Sequence, residues 1–541
     1  ESLKVPDRSS RPTEALHAIL RVEKQLADSG RWGVVTTSLD LDAQSRIQTL
    51  ATRHLGDWRR RGAEQVAAVV VERASRRVVA WVGSANYFSP AAGAMDFTTV
   101  IRSPGSALKP FIFALALERG AITANTVLAD LPEAQWGIDN ADRGWLGPML
   151  PRQALATSRN IPAAVVLRRT GLDETHLFLA DLGLHDNSRS AARYGLVLAV
   201  GALPTTLERL VRAYGALADD GRLLDLQWWD DEERPAARRL LSAHTARQVT
   251  LFLSDPAARL PIFPRLGATD TGMPMAVKTG TSQGYRDAWA VAWTSDHLVG
   301  VWTGRARGTS MRGVTGASSS AKLAQDILVD LQGGRQPAAF PPPEGWQPVE
   351  LCAQTGLRSA GRCTQTLSEW FAEGRTPEED EVFQLVRIDL RNGLLAAPWT
   401  PTRFTAERTF ATLPADQAGW GKANQLPPPP TELSPLDRPA IRSSTPHAPA
   451  APEGALRVLA PRDGLRMVRN PETPAEANQL NLRAAAGPGV KRILWLVDGQ
   501  PWRVADPHEP VPWTIIPGIH RFELATEDGT LTSPAATIQV E

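Results

Sequence analysis

Ile101 to Gly120 reads I-R-S-P-G-S-A-L-K-P-F-I-F-A-L-A-L-E-R-G. Pro104-Gly105 is a start signal, and the apolar run behind it predicts a helix over Gly105 to Arg119. Pro110 falls in the first turns, where a missing N–H costs little. Ser106 is thereby predicted at or near a helix N-terminus, with Lys109 on the same face about one turn along. A serine hydroxyl is a poor nucleophile until a base takes its proton. A lysine amine can take it when it is partly desolvated and lies near a second cation.

Two more short motifs follow in order: Ser158-Arg159-Asn160, and Lys278-Thr279-Gly280-Thr281. Each alone is weak. Ser319-Ser320-Ala321-Lys322 repeats S-x-x-K, and Ser84-Ala85-Asn86 repeats S-x-N, both in the wrong order. The ordered triple is the parts list of an active-site serine acyltransferase. The lysines of the chain are Lys4, Lys24, Lys109, Lys278, Lys322, Lys422 and Lys491, and every other basic side chain except histidine is arginine. Arginine does not give up its proton near neutral pH, whereas a desolvated lysine does. An arginine-preferring chain that keeps Lys109 and Lys278 in these motifs points to amines that must lose a proton.

The three motifs divide the labour. Lys278 supplies the second cation from a strand, with Thr279 and Thr281 on one side of it. Gly280 lets a substrate backbone approach closely. Backbone N–H groups of Ser106 and Thr281 are expected to form the oxyanion hole. Such a crevice suits a peptide ending in a free carboxylate. Ser158 is expected to relay a proton and Asn160 to hold the acyl peptide, with the bulk of Arg159 narrowing the cleft.

The chain has 541 residues, 43% hydrophobic and 22% charged. That is ordinary for globular protein and too long for one core, so two to four domains are expected. The net charge of +1 gives no argument for nucleic acid or a membrane surface. No apolar run of 18 or more residues is present, and no signal peptide is recognisable. The start at Glu1 without Met suggests a mature or truncated chain. No H-E-x-x-H or C-x-x-C pairing occurs, so no metal site and no cofactor are expected.

Thr13 to Leu26 reads as a helix within an entry segment at 1–32, Gly33 to Leu41 as a strand, and Asp42 to Arg53 as a helix. Val66 to Glu72 and Val78 to Val82 read as a hairpin. Thr123 to Asp270 reads as mostly helical, followed by strands at Met275 to Thr281, Asp287 to Thr294 and Leu298 to Thr303. The fold class is therefore α+β, an antiparallel sheet with a helical insert, over residues 33–335. Residues 336–450 read as a proline-rich connector with local structure around Cys352 and Cys363. Alternating runs at Leu456 to Ala460, Gln479 to Ala484, Arg492 to Val497, Gly518 to Ala525 and Ala536 to Val540 predict a small β-sandwich over residues 451–541.

These residues resemble the penicillin-binding proteins, the serine D,D-transpeptidases of peptidoglycan synthesis. The stretches that carry the likeness are Ile101 to Gly120 and Lys278 to Ala290, K-T-G-T-S-Q-G-Y-R-D-A-W-A. The resemblance implies an antiparallel five-stranded sheet flanked by helices over roughly residues 33–330, and a terminal immunoglobulin-like module as in one class A subfamily. It implies Ser106 as acylated nucleophile, Lys109 as its general base, Ser158 as proton relay and Asn160 as substrate contact. Lys278, Thr279 and Thr281 would bind the terminal carboxylate. It further implies D-Ala-D-Ala stem peptides and β-lactams as ligands and a periplasmic location. Candidate protein partners, by the same likeness, are a bacterial α-macroglobulin-like protein or other cell-wall enzymes. An oxidising compartment favours a Cys352–Cys363 disulfide over two free thiols.

Family members of this type carry a membrane helix and a glycosyltransferase domain ahead of the transpeptidase; neither is recognisable in this sequence, so it is not expected to polymerise glycan. Glu379 to Phe383 (E-D-E-V-F) spells part of a glycosyltransferase motif but follows the transpeptidase, and reads as an exposed acidic turn. Two other functions stay open at the level of sequence. Water rather than an amine would make the protein a D,D-carboxypeptidase or β-lactamase. A vestigial acyl site would make it a scaffold.

Overall fold

The structure, a computed structural model, describes residues 13–30, 34–132, 137–230, 232–265, 267–270, 272–437, 456–467, 478–487 and 489–541. The chain divides into two compact units, Glu1–Asp380 and Glu381–Glu541.

In the first unit, helices α1 (Leu16–Asp28) and α2 (Leu41–Trp58) precede the hairpin β1 (Gln65–Glu72) and β2 (Val78–Val82). Then come α3 (Lys109–Glu118), β3 (Leu128–Asp130), β4 (Gly147–Met149), α4 (Pro151–Ala156), α5 (Asn160–Thr170), α6 (Leu172–Asp181) and α7 (Leu207–Ala218). The short pair β5 (Arg222–Leu223) and β6 (Arg238–Arg239) and helix α8 (Ala243–Ser254) lead to β7 (Ala276–Thr281), β8 (Asp287–Trp293), β9 (His297–Gly304) and α9 (Ser320–Gln332). The main sheet has the order β2-β1-β9-β8-β7, antiparallel throughout. The hairpin that precedes the helical insert and the strands that follow it therefore meet in one sheet.

The sheet is buried on both faces, and its alternation decides what packs where. In β8, D-A-W-A-V-A-W, the alanines at 288, 290 and 292 join α2 and α9 in one core, with Ile47, Ala51, Leu323 and Ile327. Trp289, Val291 and Trp293 join the opposite core with Phe111, Tyr214 and Trp302. Small residues let two helices lie close on one side, while tryptophans fill the space under the insert on the other. Asp40 caps α2, its carboxylate accepting from the Ala43 N–H at 2.9 Å, a device worth about 1 kcal/mol.

Several expectations need correction. Gly33 to Leu41 is no strand among its described residues. Thr37 makes one isolated bridge to Trp229, and the Ser38 hydroxyl reaches the Val78 and Gln227 carbonyls. The segment thus ties down β2 from the side instead of extending the sheet, a case of tertiary context overriding β propensity. The helix expected from Gly105 begins as a 3-10 turn at Gly105–Leu108 and becomes α-helical at Lys109.

The segment 336–450 is not all connector. Hairpin β10 (Trp346–Cys352) with β11 (Thr366–Ala372) belongs to the first unit, and β12 (Phe383–Asp389) with β13 (Thr405–Ala411) to the second. Glu369 on β11 is fully buried and holds Arg152 of α4 by two bonds of 2.6 and 2.8 Å. The last part of the expected proline-rich connector, residues 438–450, lies outside the described residues. The 379–383 turn is not simply exposed: Asp380 is buried and accepts from the Thr355 hydroxyl at 2.9 Å, and Phe383 is buried at the start of β12. Cys352 and Cys363 form a disulfide, with Cα atoms 5.7 Å apart. The Asp380 carboxylate lies beside the sulfurs, but sulfur held in a disulfide offers no thiolate to a metal.

In the second unit, β14 (Leu456–Ala460), β15 (Leu465–Met467), β16 (Gln479–Ala486), β17 (Ile493–Val497), β18 (Gln500–Ala505), β19 (Val511–Thr514), β20 (Gly518–Thr526) and β21 (Ala536–Val540) form two sheets, β14-β16-β19 and β15-β21-β20-β17-β18. Trp495, Trp513, Phe522, Leu524 and Ile538 fill the space between them. The strands β15, β18 and β19 are additions to the sequence reading. They are short or carry Pro501 and Pro512, which blur the alternation.

Candidate active site

The 3-10 turn bearing Ser106 is pressed against edge strand β7. A Cβ on Gly280 would stand 2.2 Å from the Pro104 carbonyl oxygen, and one on Gly105 (φ +56°) would stand 2.3 Å from that of Thr281. Glycine at both places is what lets the backbones of turn and strand touch. The turn is tied from three further sides. The Tyr214 hydroxyl donates to the Ala107 carbonyl at 2.7 Å, the Trp289 indole N–H to the Ser103 carbonyl at 2.9 Å, and the Ser103 hydroxyl to the Gly201 carbonyl at 2.7 Å.

Lys109 is fully buried. Its Nζ donates to the Ser158 carbonyl at 2.6 Å, the Arg159 carbonyl at 3.0 Å and Asn160 Oδ1 at 2.6 Å. Lys278 is 2% exposed, and its Nζ donates to the Ser158 hydroxyl at 2.7 Å and to the Thr279 carbonyl at 2.8 Å. Ser158 thus joins the two amines, its carbonyl on one and its hydroxyl on the other. It does so in the left-handed region, φ +62°, a conformation that costs a non-glycine residue of the order of 1 kcal/mol or more. The Ser106 hydroxyl, half-buried one turn before Lys109, has no hydrogen-bond partner among the described residues.

The electrostatics favour a neutral Lys109 and leave Lys278 balanced between its two forms near neutral pH. Burial holds the Lys109 amine well below its usual range, with the Lys278 and Arg159 charges acting in the same direction and Asp130 opposing them. Burial alone brings Lys278 down to about 7. A buried ammonium loses hydration that two or three protein acceptors only partly replace.

Arg159 does not narrow the cleft as expected. It is 3% exposed, and its guanidinium turns into the protein, 2.7 Å from Asp130 and 2.8 Å from Asp142. Asn160 is half-buried and braced from within the protein, with one N–H of its amide left over after its bonds to Lys109 and Asp139. Oδ1 accepts from Lys109, and Nδ2 donates to the Asp139 carbonyl at 2.7 Å. Its backbone N–H donates to Asn140 Oδ1 at 2.8 Å, and Asn140 Nδ2 donates to Asp130 Oδ1 at 2.7 Å. Asp130, Asn140, Ser103, Gly201 and Tyr214 had no signal in the sequence, since their partners are far along the chain. Trp289 lay inside the G-Y-R-D-A-W run without a role.

Thr279 is buried, and Thr281 at the end of β7 is half-buried, its hydroxyl accepting from the Gly316 N–H at 3.1 Å. The look-alike motifs are dispersed. Ser319 is buried with its hydroxyl on the Thr315 carbonyl at 2.7 Å, while Lys322 is exposed and paired with Asp326 at 2.7 Å. Ser84 is buried against the Gly93 carbonyl.

This architecture, a buried antiparallel sheet with a serine turn against its edge strand and two buried lysines joined through a third motif, defines a class, and the matches agree with it. The penicillin-binding protein transpeptidase domain matches residues 66–328, and the penicillin-binding protein C-terminus family matches residues 445–538. The chain belongs to the penicillin-binding proteins. It is 31% identical to penicillin-binding protein 1C of Escherichia coli over 490 residues, 86% of this chain and 60% of that protein. It is 25% identical to penicillin-binding protein 2D of Bacillus subtilis over 397 residues, 67% of this chain and 55% of that protein. The chain therefore spans 60% or less of the length of these curated relatives. Among solved structures, PonA1 of Mycobacterium tuberculosis superposes with a TM-score of 0.50 at 20% identity, over 62% of this chain and 96% of that one, a likeness of fold. No helix among the described residues is long and apolar enough to cross a membrane.

Proposed function

We propose that the protein is a serine D,D-transpeptidase that cross-links peptidoglycan stem peptides in the periplasm and is acylated by β-lactams. The observation that carries the reading is the pair of buried lysines bridged by Ser158, with a free serine hydroxyl one helical turn from the first. In the reaction the Ser106 oxygen attacks the carbonyl of the D-Ala-D-Ala bond, and its proton passes to the neutral Lys109 amine. Backbone N–H groups at Ser106 and Thr281 stabilise the oxyanion. The C–N bond breaks, D-Ala leaves with a proton delivered through Ser158 from the lysine pair, and an ester to Ser106 remains. An amine of a neighbouring stem peptide attacks the ester and restores the hydroxyl. Lys278 in its charged form, with Thr279 and Thr281, receives the terminal carboxylate. Asn160 holds Lys109 through Oδ1 and contacts the acyl peptide through the remaining N–H of its amide. A disulfide at Cys352–Cys363 fits an oxidising compartment.

The test is intact-mass measurement after exposure to penicillin G, with Ser106→Ala as control. One acyl adduct is expected on the unaltered protein and none on the variant; an adduct persisting in the variant overturns the reading. Product analysis on stem peptides then separates cross-linked dimer, expected here, from the simple hydrolysis of a carboxypeptidase.

A further inference from the structure

One end of the main sheet carries an uncompensated arginine cluster. The chain leaves α2 as Arg59-Arg60-Arg61, enters β1, and returns to the same end where β9 stops at Gly304, since the Glu64 N–H donates to the Gly304 carbonyl at 3.0 Å. The β7–β8 turn with Arg286 and the loop after β9 with Arg307 and Arg312 are at this end too. Backbone bonds lock the pieces together. The Arg312 N–H donates to the Arg61 carbonyl at 2.8 Å, its guanidinium reaches the Arg60 carbonyl, and the Met311 N–H donates to the Tyr285 carbonyl at 2.9 Å. The same loop continues to Gly316, whose N–H meets the Thr281 hydroxyl of the K-T-G-T strand. The cluster is therefore built onto the crevice.

Arg59, Arg60, Arg61, Arg286, Arg307 and Arg312 are all exposed, and none has an ion pair among the described residues. The acids nearby do not balance them. Glu64 is taken by Arg305 at 2.6 Å. Asp287 is buried under Ser282, Arg102 and Trp302. Asp57 on the last turn of α2 is a single exposed charge. The chain as a whole carries only +1, so this is a local concentration of like charge that repels itself until an anion binds. Guanidinium forks match carboxylates bidentately.

We propose that this arginine rim engages a second carboxylate of the peptide strand whose end enters the crevice, so that the preferred donor is a polyanionic stem peptide. The inference rests on the transpeptidase reading. Its test uses two synthetic donor peptides that differ only in one remote carboxylate, free or amidated, with rates of Ser106 acylation measured at low and high salt. The free acid is expected to react about 10-fold faster at low ionic strength. The advantage should shrink as salt screens the rim, and should vanish in R286Q/R307Q/R312Q and invert in R286E/R307E/R312E. Penicillin G labelling of Ser106 should stay unchanged in these variants, which reports that they fold. Equal rates for the two peptides on the unaltered protein, with Ser106 still labelled, overturn this inference alone. No labelling of Ser106 at all removes the transpeptidase reading and this inference with it. Retention on anionic phospholipid vesicles that the variants lose, with no carboxylate preference, overturns it in favour of a membrane surface.

Discussion

Replacing Lys278 by methionine should stabilise the fold at low pH while abolishing acylation. A normal lysine releases its proton near 10.5, and burial brings Lys278 to about 7. Each unit is worth 1.36 kcal/mol, so keeping the charge in place below pH 7 costs the folded state about 5 kcal/mol. Methionine fills a similar volume without the charge. It forfeits the bonds to the Ser158 hydroxyl and the Thr279 carbonyl, each worth about 1 kcal/mol. The net gain at pH 6 is then about 2–3 kcal/mol.

The pH dependence is the sharper readout. Between 7 and 10.5 the unfolded chain still holds the Lys278 proton and the folded one does not, so stability of the unaltered protein rises with pH. Lys109, also depressed, acts in the same direction. The advantage of Lys278→Met should therefore shrink by about 1.4 kcal/mol per pH unit above 7 and be gone near pH 9. Urea unfolding followed by the fluorescence of the buried tryptophans, at pH 6, 7.5 and 9, measures it. A stability difference that does not change with pH would refute the argument that burial deprotonates this amine. The transition to follow is that of the first unit, since a chain of two units need not unfold in one step.

Arg159→Met leaves Asp130 buried without its cation, which should cost about 3–5 kcal/mol of stability. It should also move the acylation pH profile upward, because a charge that depresses Lys109 is gone; Asp130→Asn should move it downward, and a shift of both in one direction would count against this network. Gly280→Ala puts a Cβ against the Pro104 carbonyl, so penicillin labelling should fall by a hundredfold or more, on the scale of a misplaced catalytic group. Arg152→Met strands the fully buried Glu369 and should lower stability by about 3–5 kcal/mol with labelling of the surviving folded protein unchanged.

The parts that local spacing can encode were readable in the chain. Ser106 and Lys109 share a helical face because three residues make about one turn, and β1, β2 and β7 to β9 declare themselves as short apolar runs rich in β-branched and aromatic residues. Strand pairs of low contrast were not readable. The hairpins at 346–372 and 383–411 are only partly buried and carry polar residues on both faces, so no alternation marks them. The inward turn of Arg159 is hidden for a related reason, since bulk is visible in a sequence and direction is not.

By itself the order of motifs determined the chemistry: a hydroxyl, two amines that can lose protons, and a glycine-bearing strand. What only the tertiary structure decided is which groups hold them. Ser158 is the joint between the lysines, Arg159 turns into the protein, Asn160 holds Lys109, and Asp130, Asn140 and Tyr214 brace the site from positions up to 107 residues away from their partners. Depressed lysines need burial and converging acceptors, and both come from strands and helices distant in the chain, so no local pattern could have carried them.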